Sequence, residues 1–562
     1  MPVLTRGAYA EPGTSLAFKT GDWRTMRPVH KHWAAPCHGA CPAGEDAQEW
    51  LARFQEGHPR EAWETIAHIN PLPAVTGRIC PHPCETACNR THYDSPIAIH
   101  ALERWLGDQA ILNNWSFPGA QGVAEPAAVA VVGAGPGGLS CAYQLARRGH
   151  KVTLIDALPE PGGLLRSAIP MTRLPRDVLD AEIGRILDLG ITFKPHTRLG
   201  DEADLARLRQ EHRAVFLAPG IGLAKNWSVG GQVPTDHRPA LELLKEFIAH
   251  GKVPTPASVI IHGGGNTAVD LARVMKRAGV AEVHLVTASG LPGPDTEPGD
   301  ILNVVPRELH EAIEEGIIFH PHRTIQRLLM RGSKLMGIEM VSLRKLPGAS
   351  GRKSRVAFEG TETILHADMV IPAIGENVDP TGFEALLGGA PYFRPADEWG
   401  RLPGHPDLFV GGDARGDRGT AAGAIGDGRK AAEAIDLFLA GQEPVHQRRP
   451  TLPYDHLNMA YYEPAPRREP PVLPVEQRTD SDEIEGPLPD AEARAEANRC
   501  LSCGSCLACD NCWTYCPDNA VIKTIEQAQD GSHYVFDYEY CKGCGMCATE
   551  CPCGYIVMEE DH

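Results

Sequence analysis

The chain has 562 residues, 42% hydrophobic and 22% charged, a globular composition too long for one core, so three or four domains are expected. Lys and Arg total 54 against 72 Asp and Glu, a formal net charge of -18, which argues against a nucleic-acid or anionic-membrane surface and leaves protein partners open. The opening MPVLTRGAYAEPG lacks an apolar core of signal-peptide length, and no run of about 18 apolar residues follows, so a cytoplasmic protein without a membrane span is expected.

Seventeen cysteines in such a chain do not read as disulfides, because the cytosol keeps thiols reduced. Five lie between Cys37 and Cys88, one is Cys141, and eleven lie between Cys500 and Cys553, which points to metal sites at the two ends. In the first of these regions Cys37-x3-Cys41-Pro42 precedes Trp50, Leu51, Phe54, Ala62, Trp63, Ile66 and Ile69, whose helical spacing is that of a core. GRICPHPCETACNR then carries Cys80, Cys84 and Cys88, and IHALERWLGDQ carries Glu103.

AVAVVGAGPGGLSCAYQLARRGHKVTLID, from Ala128 to Asp156, predicts a strand, a glycine turn, an amphipathic helix and a second strand ending in an acid. Gly133, Gly135 and Gly138, with Gly137 among them, suit a tight turn, close approach of backbone to a pyrophosphate, and helix packing; Asp156 is placed to accept from a ribose hydroxyl. Cys141, alone in that helix, reads as a small packed hydrophobe. PEPGGLLR follows, with Gly163 and Leu164.

A second such unit runs from Ser258 to Ser289, with Gly263, Gly265 and Ala268 at the fingerprint positions. Gly264, Asn266 and Thr267 complete its turn, and a helix over 266–278 opens at a phosphate-ready N-terminus. Its second strand ends in Thr287, Ala288 and Ser289. No cation stands there to meet a 2'-phosphate, so NADH is favoured over NADPH, with Arg307 or His310 as alternative sources of charge. Further on, LFVGGDARGDRGTAAGAIGDGRKAAEAID contains Gly412 and Asp413. No redox-active cysteine pair and no evident substrate acid or base accompanies either unit.

The stretch 442–498 reads as an extended spacer, PAPRREPPVLP included, ending in a helix at DAEARAEAN that delivers RCLSCG. Two runs then repeat C-x2-C-x2-C-x3-C-P: Cys506, Cys509, Cys512, Cys516 and Cys541, Cys544, Cys547, Cys551. The fourth cysteine of such a run ligates the other cluster. One [4Fe–4S] cluster is therefore assigned to Cys506, Cys509, Cys512 and Cys551, the other to Cys541, Cys544, Cys547 and Cys516. YVFDYEY between the runs alternates as a short strand. Cys553 fits neither run and reads as a buried thiol.

The last 60 or so residues resemble the two-[4Fe–4S] bacterial ferredoxin fold. The two dinucleotide units with the late GGD segment resemble the two-dinucleotide flavoproteins, which implies FAD in the first unit, with Asp413 at its ribityl chain, and nicotinamide in the second. The N-terminal 440 or so residues resemble the small subunit of glutamate synthase and its relatives, including the electron-input half of dihydropyrimidine dehydrogenase. That resemblance implies one cluster on Cys41, Cys80, Cys84 and Glu103, although Glu103 also reads as a solvated helix residue. A second family cluster needs a C-x2-C pair upstream of Cys37, which is missing here. The missing piece in the relatives reads like RCLxCG, so Cys500 and Cys503 are expected either to complete a cluster with Cys37 and Cys88, within the chain or across a dimer, or to be free thiols.

The expected fold is thus α/β, a two-dinucleotide-binding-domain flavoprotein with two Rossmann-like units, a helical N-terminal Fe–S domain and a C-terminal α+β ferredoxin domain. The boundaries are 1–125 for the helical domain, 126–255 and 371–441 for the FAD-binding parts, 256–370 for the NAD(P)-binding domain, 442–498 for the linker and 499–562 for the ferredoxin domain. The implied function is an NAD(P)H:acceptor oxidoreductase subunit with FAD, two C-terminal and one or two N-terminal [4Fe–4S] clusters. As a homodimer or hetero-oligomer it would serve a redox partner protein or larger complex, such as a 2-oxoacid:ferredoxin oxidoreductase or a dissimilatory sulfite reductase. A glutamate synthase small subunit and a non-catalytic Fe–S scaffold are the alternatives.

Overall fold

The computed structural model describes residues 4–6, 19–119, 122, 125–294, 296–347, 353–416, 419–445, 449–526 and 531–561. Its frame is two parallel sheets. The larger has six strands in the order Arg401–Leu402, His405–Val410, Ala214–Leu217, Ala128–Val132, Lys151–Ile155, Thr192–Lys194, parallel except for the first pair. Val129, Val131, Val215 and Phe216 are completely buried, as unbroken apolar runs must be where helices cover both faces. The second sheet is parallel throughout, in the order Ile318–His320, Glu282–Val286, Ser258–His262, Met369–Pro372. A two-stranded ribbon, Leu223–Ala224 against Glu376–Asn377, marks where the chain leaves the first sheet and returns to it. Between the last two strands of the second unit, Arg323–Arg331, Lys334–Pro347, Lys353–Ala357 and Thr363–His366 form an antiparallel sheet, which was expected within that unit and not as a separate element.

The N-terminal helices Ala47–Gln55 and Pro59–Ile69 bury Trp50, Leu51, Phe54, Ala62, Trp63 and Ile66 as their spacing predicts, while Ile69 is half-buried. Helices Pro73–Ile79 and Ile99–Leu112 cross backbone to backbone at two glycines. A Cβ on Gly77 would stand 2.4 Å from the Arg104 nitrogen, and one on Gly107 2.3 Å from that of Ala74.

The two ends of the chain interleave. Val521–Thr524 pairs with Tyr534–Phe536, the strand read from YVFDYEY, and on its other side with Leu4–Arg6. Met26–His30, expected in the helical domain, pairs instead with Ile556–Glu560 at the far end of the sequence. The stretch read as a spacer is a packed strap, with Leu452, Leu457, Ile484 and Leu488 buried. It ends, as expected, in a helix, Asp490–Ala497. There Glu496, wholly buried, accepts from the backbone N–H of Ala98 at 2.8 Å and of Arg468 at 2.9 Å, and from Arg499 Nη1 at 2.6 Å.

Removing one partner from a buried ion pair leaves the other charge stranded, at a cost of about 3–5 kcal/mol. Glu496→Ala is therefore expected to loosen the segment that carries Cys500 and Cys503, read as lost amide-exchange protection over 497–503. Unchanged protection would show that the carboxylate does not anchor it.

Candidate functional site

The first glycine turn is shaped by contact. Gly133 has φ +101, and a Cβ there would stand 2.1 Å from the Ala218 carbonyl; one on Gly138 would stand 1.7 Å from the Gly133 oxygen. Gly135 alone faces open space, with no atom within 4 Å of an added Cβ. That is the cradle a pyrophosphate needs at a helix N-terminus. Asp156 accepts from the Ala134 and Leu158 N–H groups at 2.6 and 2.8 Å, which fixes its carboxylate beside the turn. Gly163 seats the PGGLL segment on the same turn, its added Cβ lying 2.9 Å from Gly135 Cα, and Leu164 opens a short helix there.

Helix Ala421–Leu439 packs on helix Pro136–Arg147 so closely that a Cβ on Gly428 would reach within 2.1 Å of the Gly137 oxygen. At its N-terminus the Thr420 side chain accepts from Gly423 N–H, and just ahead of it Asp413 Oδ1 accepts from Gly419 N–H at 3.0 Å. Gly412 N–H donates to the buried Asp427 at 3.1 Å. Cys141 is completely buried, as expected for a packed thiol.

The second unit repeats the first. A Cβ on Gly263 would lie 2.1 Å from the Ala373 oxygen, Gly265 faces open space, and Ala268 is buried at the third fingerprint position. Helix Asn266–Arg277 begins there, Thr267 lies in its first turn, and Asn266 Oδ1 accepts from Val305 N–H at 3.0 Å. A Cβ on Gly264 would stand 2.3 Å from Thr287 Oγ1, so turn and strand end touch. Neither alternative cation reaches that strand end: Arg307 bonds Glu485 at 3.0 Å, and the exposed His310 faces Glu314.

Sixteen side chains gather in four quartets. Cys41, Cys80, Cys84 and Glu103 line one cavity. Glu103 is not a solvated helix residue: it is 4% exposed, accepts from Thr76 Oγ1, and faces His82 Nε2 at 3.4 Å. A second carboxylate missed by sequence reasoning, Glu45, lines the same cavity and shares the Asn70 side-chain amide with Glu103. Burial raises Glu103 to about 8 and the Cys41 thiol to about 12, so a metal bound here would displace protons from them.

Burial likewise pushes the Cys37 thiol up, and Cys500, Cys88 and Cys503 push it further, so these four are neighbours within one chain. Cys500 and Cys503 are each raised to about 12, first by burial. Asn89 Nδ2 lies 3.6 Å from Cys503 Sγ. Arg499, the first residue of RCLSCG, is a clamp that the cysteine spacing did not reveal; it bonds Glu496, Asp94 and the Ser95 and Ala465 carbonyls.

In the C-terminal module Cys516, Cys541, Cys544 and Cys547 line one cavity; Cys512 is raised first by burial, then by Cys506, Cys547, Cys509 and Cys551, and Cys509 by burial, then by Cys551 and Cys506. Cys516 thus lies with the second run, and Cys551 beside Cys509 of the first. Among the described residues no three His, Cys, Asp or Glu side chains converge tightly enough for a single ion. A cubane instead spreads its ligands around a larger body. Cys553 is buried as expected, but its Sγ sits 3.8 Å from Cys551 Sγ; this contact draws Cys551 down to about 6.

Residues 30–115 match the model for dihydropyrimidine dehydrogenase domain II, 4Fe-4S cluster, and residues 127–428 that for pyridine nucleotide-disulphide oxidoreductases. The chain is an iron–sulfur flavoprotein of the pyridine nucleotide-disulphide oxidoreductase family. It is 32% identical over 513 residues to the NADP(+)-dependent formate dehydrogenase subunit beta of Moorella thermoacetica, covering 84% of this chain and 70% of that one. It is 31% identical to the NADPH-Fe(3+) oxidoreductase subunit beta of Geobacter sulfurreducens, over 87% of this chain and 78% of the relative. The NAD-dependent dihydropyrimidine dehydrogenase subunit PreT of Escherichia coli is also 31% identical, over 72% and 92%. The flavoprotein is thus an NAD(P)H-dependent electron-transfer oxidoreductase that binds FAD, [4Fe–4S] clusters and a pyridine nucleotide. Among its described residues no helix is long and apolar enough to cross a membrane.

Since a Cβ on Gly138 would collide with the backbone that makes the turn, Gly138→Ala is expected to purify with most of its flavin lost and its iron retained. Flavin released on denaturation, measured against iron per chain, checks this; full flavin would show that the turn is not the site.

Proposed function

We propose that this flavoprotein is the electron-input subunit of a larger redox enzyme, taking electrons from a pyridine nucleotide at Gly263–Ala268 and delivering them to a protein partner at the C-terminal module. FAD would be held by Gly133, Gly135, Gly137, Gly138, Asp156, Gly163, Leu164, Gly412 and Asp413, and four cubanes by the four quartets. Bound there, FAD exchanges an electron pair for single electrons and the clusters pass them on.

The observation that carries this reading is the unbroken adjacency of the sites. Ala422, in the first turn of the helix behind the flavin cradle, lines the cavity of Cys41, Cys80, Cys84 and Glu103, and a Cβ on Gly426 would stand 2.1 Å from the Pro42 oxygen. Cys84 feels Cys41, Cys80 and then Cys37, which belongs to the next quartet. Gly504 N–H donates to the Cys553 carbonyl at 2.8 Å, binding the Cys503 loop to the Cys551 loop. Tyr462, which donates to the Leu501 carbonyl at 2.9 Å, is raised by burial and then by Cys553, Cys503, Cys500 and Cys551, so it stands between the second and third quartets. Cys512 feels Cys547 of the fourth quartet, and Cys544 there is exposed, as an exit to a partner requires.

The names of the relatives, two of them beta subunits, support a place in a multi-subunit enzyme. A 2-oxoacid:ferredoxin oxidoreductase or a dissimilatory sulfite reductase is the kind of partner we infer. The preference for NADH expected from the bare strand end gains no support from relatives named for NADP.

Anaerobic titration with NADPH and, in parallel, NADH is expected to bleach flavin and cluster absorbance together. Failure of both nucleotides would sink the assignment of the second unit. Iron analysis is expected to give about 16 iron atoms per chain, and the Cys500→Ser/Cys503→Ser double variant to lose about four while keeping its flavin. Wild-type protein with about 12, and a double variant that loses no iron relative to it, would remove the second quartet.

A further inference from the structure

The strand end of the second dinucleotide unit carries no cation of its own, but the tertiary structure brings one there. Arg355, in strand Lys353–Ala357 of the antiparallel sheet, donates from Nη2 to Ser289 Oγ at 3.0 Å and to Asp300 Oδ1 at 2.5 Å. Asp300 is itself held at the strand end, since Gly290 N–H donates to its carbonyl at 2.8 Å and Leu302 N–H donates back to the Gly290 carbonyl. Lys345 Nζ reaches the same carboxylate at 3.1 Å, and His322 Nδ1 lies 3.4 Å from its other oxygen. Two permanent cations and an imidazole therefore surround one carboxylate. The Arg355 side chain is 37% exposed and that of Lys345 23%, so both remain within reach of a ligand, whereas the Asp300 side chain is 10% exposed.

The chemistry of the two nicotinamide nucleotides differs at one atom group. A free ribose 2'-hydroxyl is read by an acceptor, usually a carboxylate at the end of the second strand; a 2'-phosphate is read by an arginine there. Here the nearest carboxylate is already bonded to cations, and the position beside it is a hydroxyl with a guanidinium on top. Both named Arg355 bonds leave from Nη2, and a guanidinium carries five N–H donors in a fork that fits phosphate. We propose that Arg355, steadied by Asp300 and supported by Lys345, reads the 2'-phosphate of NADPH and makes it the favoured nucleotide. This rests on the reading of Gly263–Ala268 as the nicotinamide site and names the determinant within it. It reverses the preference drawn from Thr287–Ser289, because the charge comes from 66 residues downstream of Ser289.

The test uses the holoprotein, flavin and clusters in place, and two probes that differ only in the group at issue: adenosine 2',5'-bisphosphate and 5'-AMP. Calorimetry is expected to find the bisphosphate bound at least about tenfold tighter by wild type, the scale of a hydrogen bond to a charged group. Arg355→Ala is expected to abolish that difference, leaving 5'-AMP affinity within about twofold, with Arg355→Lys intermediate. kcat/KM for NADPH should fall in step while that for NADH holds. A normal flavin-to-protein ratio establishes that the variants are folded. Equal weakening of both probes by Arg355→Ala, or a wild type that binds both equally, would overturn the role of Arg355 and leave the nicotinamide site standing. Binding of neither probe would overturn both.

Discussion

A cubane needs four ligands, and Cys37 and Cys88 are two. Beside them lie Cys500 and Cys503, from more than four hundred residues away in the chain, and in the reading proposed above much of the architecture serves to bring them there. The strands Leu4–Arg6 and Met26–His30 pair with the C-terminal module, while the strap 449–498 runs back over the helical domain and buries its own leucines. A peptide that had only to span two domains would need neither. Burial raises the Cys500 and Cys503 thiols, and these contacts hold the segment that carries them in place.

Those contacts are buried charges satisfied in sets. Arg499 and Arg90 share Asp94, and Arg499 also donates to Glu496 and to the Ser95 and Ala465 carbonyls around the RCLSCG turn. The strap is likewise tied down on both sides. Glu483 meets Arg78 at 2.8 Å and Arg104 at 2.9 Å in the helical domain, while Arg478 meets Glu315 at 3.1 Å and Asp480 meets Arg277 at 2.7 Å on the nicotinamide unit. Arg173 of the flavin unit bonds Asp270 and Glu308 of the other, each at 2.8 Å. Such sets add little net stability over apolar packing, but they punish any arrangement that leaves a partner unpaired. In this molecule they make one relative placement of the two dinucleotide units and the helical domain much better than its neighbours.

Close backbone approach does the finer positioning. Gly428 lets the flavin-side helix lie on helix Pro136–Arg147, and Gly426 lets it lie on the Cys41–Pro42 turn. A methyl group at either would push the flavin cradle away from the first quartet. Electron transfer depends steeply on distance, so two hydrogen atoms in place of two methyls are part of the redox design.

By itself the sequence determined what local spacing can carry. The doubled C-x2-C-x2-C-x3-C-P runs, the two glycine turns and the helical spacing of Trp50 to Ile66 each lie within a short window, and the structure forms both turns and buries those helical positions. RCLSCG was legible as two surplus cysteines, either free thiols or, by resemblance to the family, companions of Cys37 and Cys88, and the structure sets the four in one neighbourhood. What only the tertiary structure decided is whatever joins segments remote in sequence without a counting rule to link them. Glu45 beside Glu103, Tyr462 between two quartets, the pairing of Met26–His30 with Ile556–Glu560, and Arg355 over Ser289 have no local signature, because a hydrogen bond or strand pair places no demand on the residues next to it in the chain. A strand end can therefore look bare in sequence and still be charged in space.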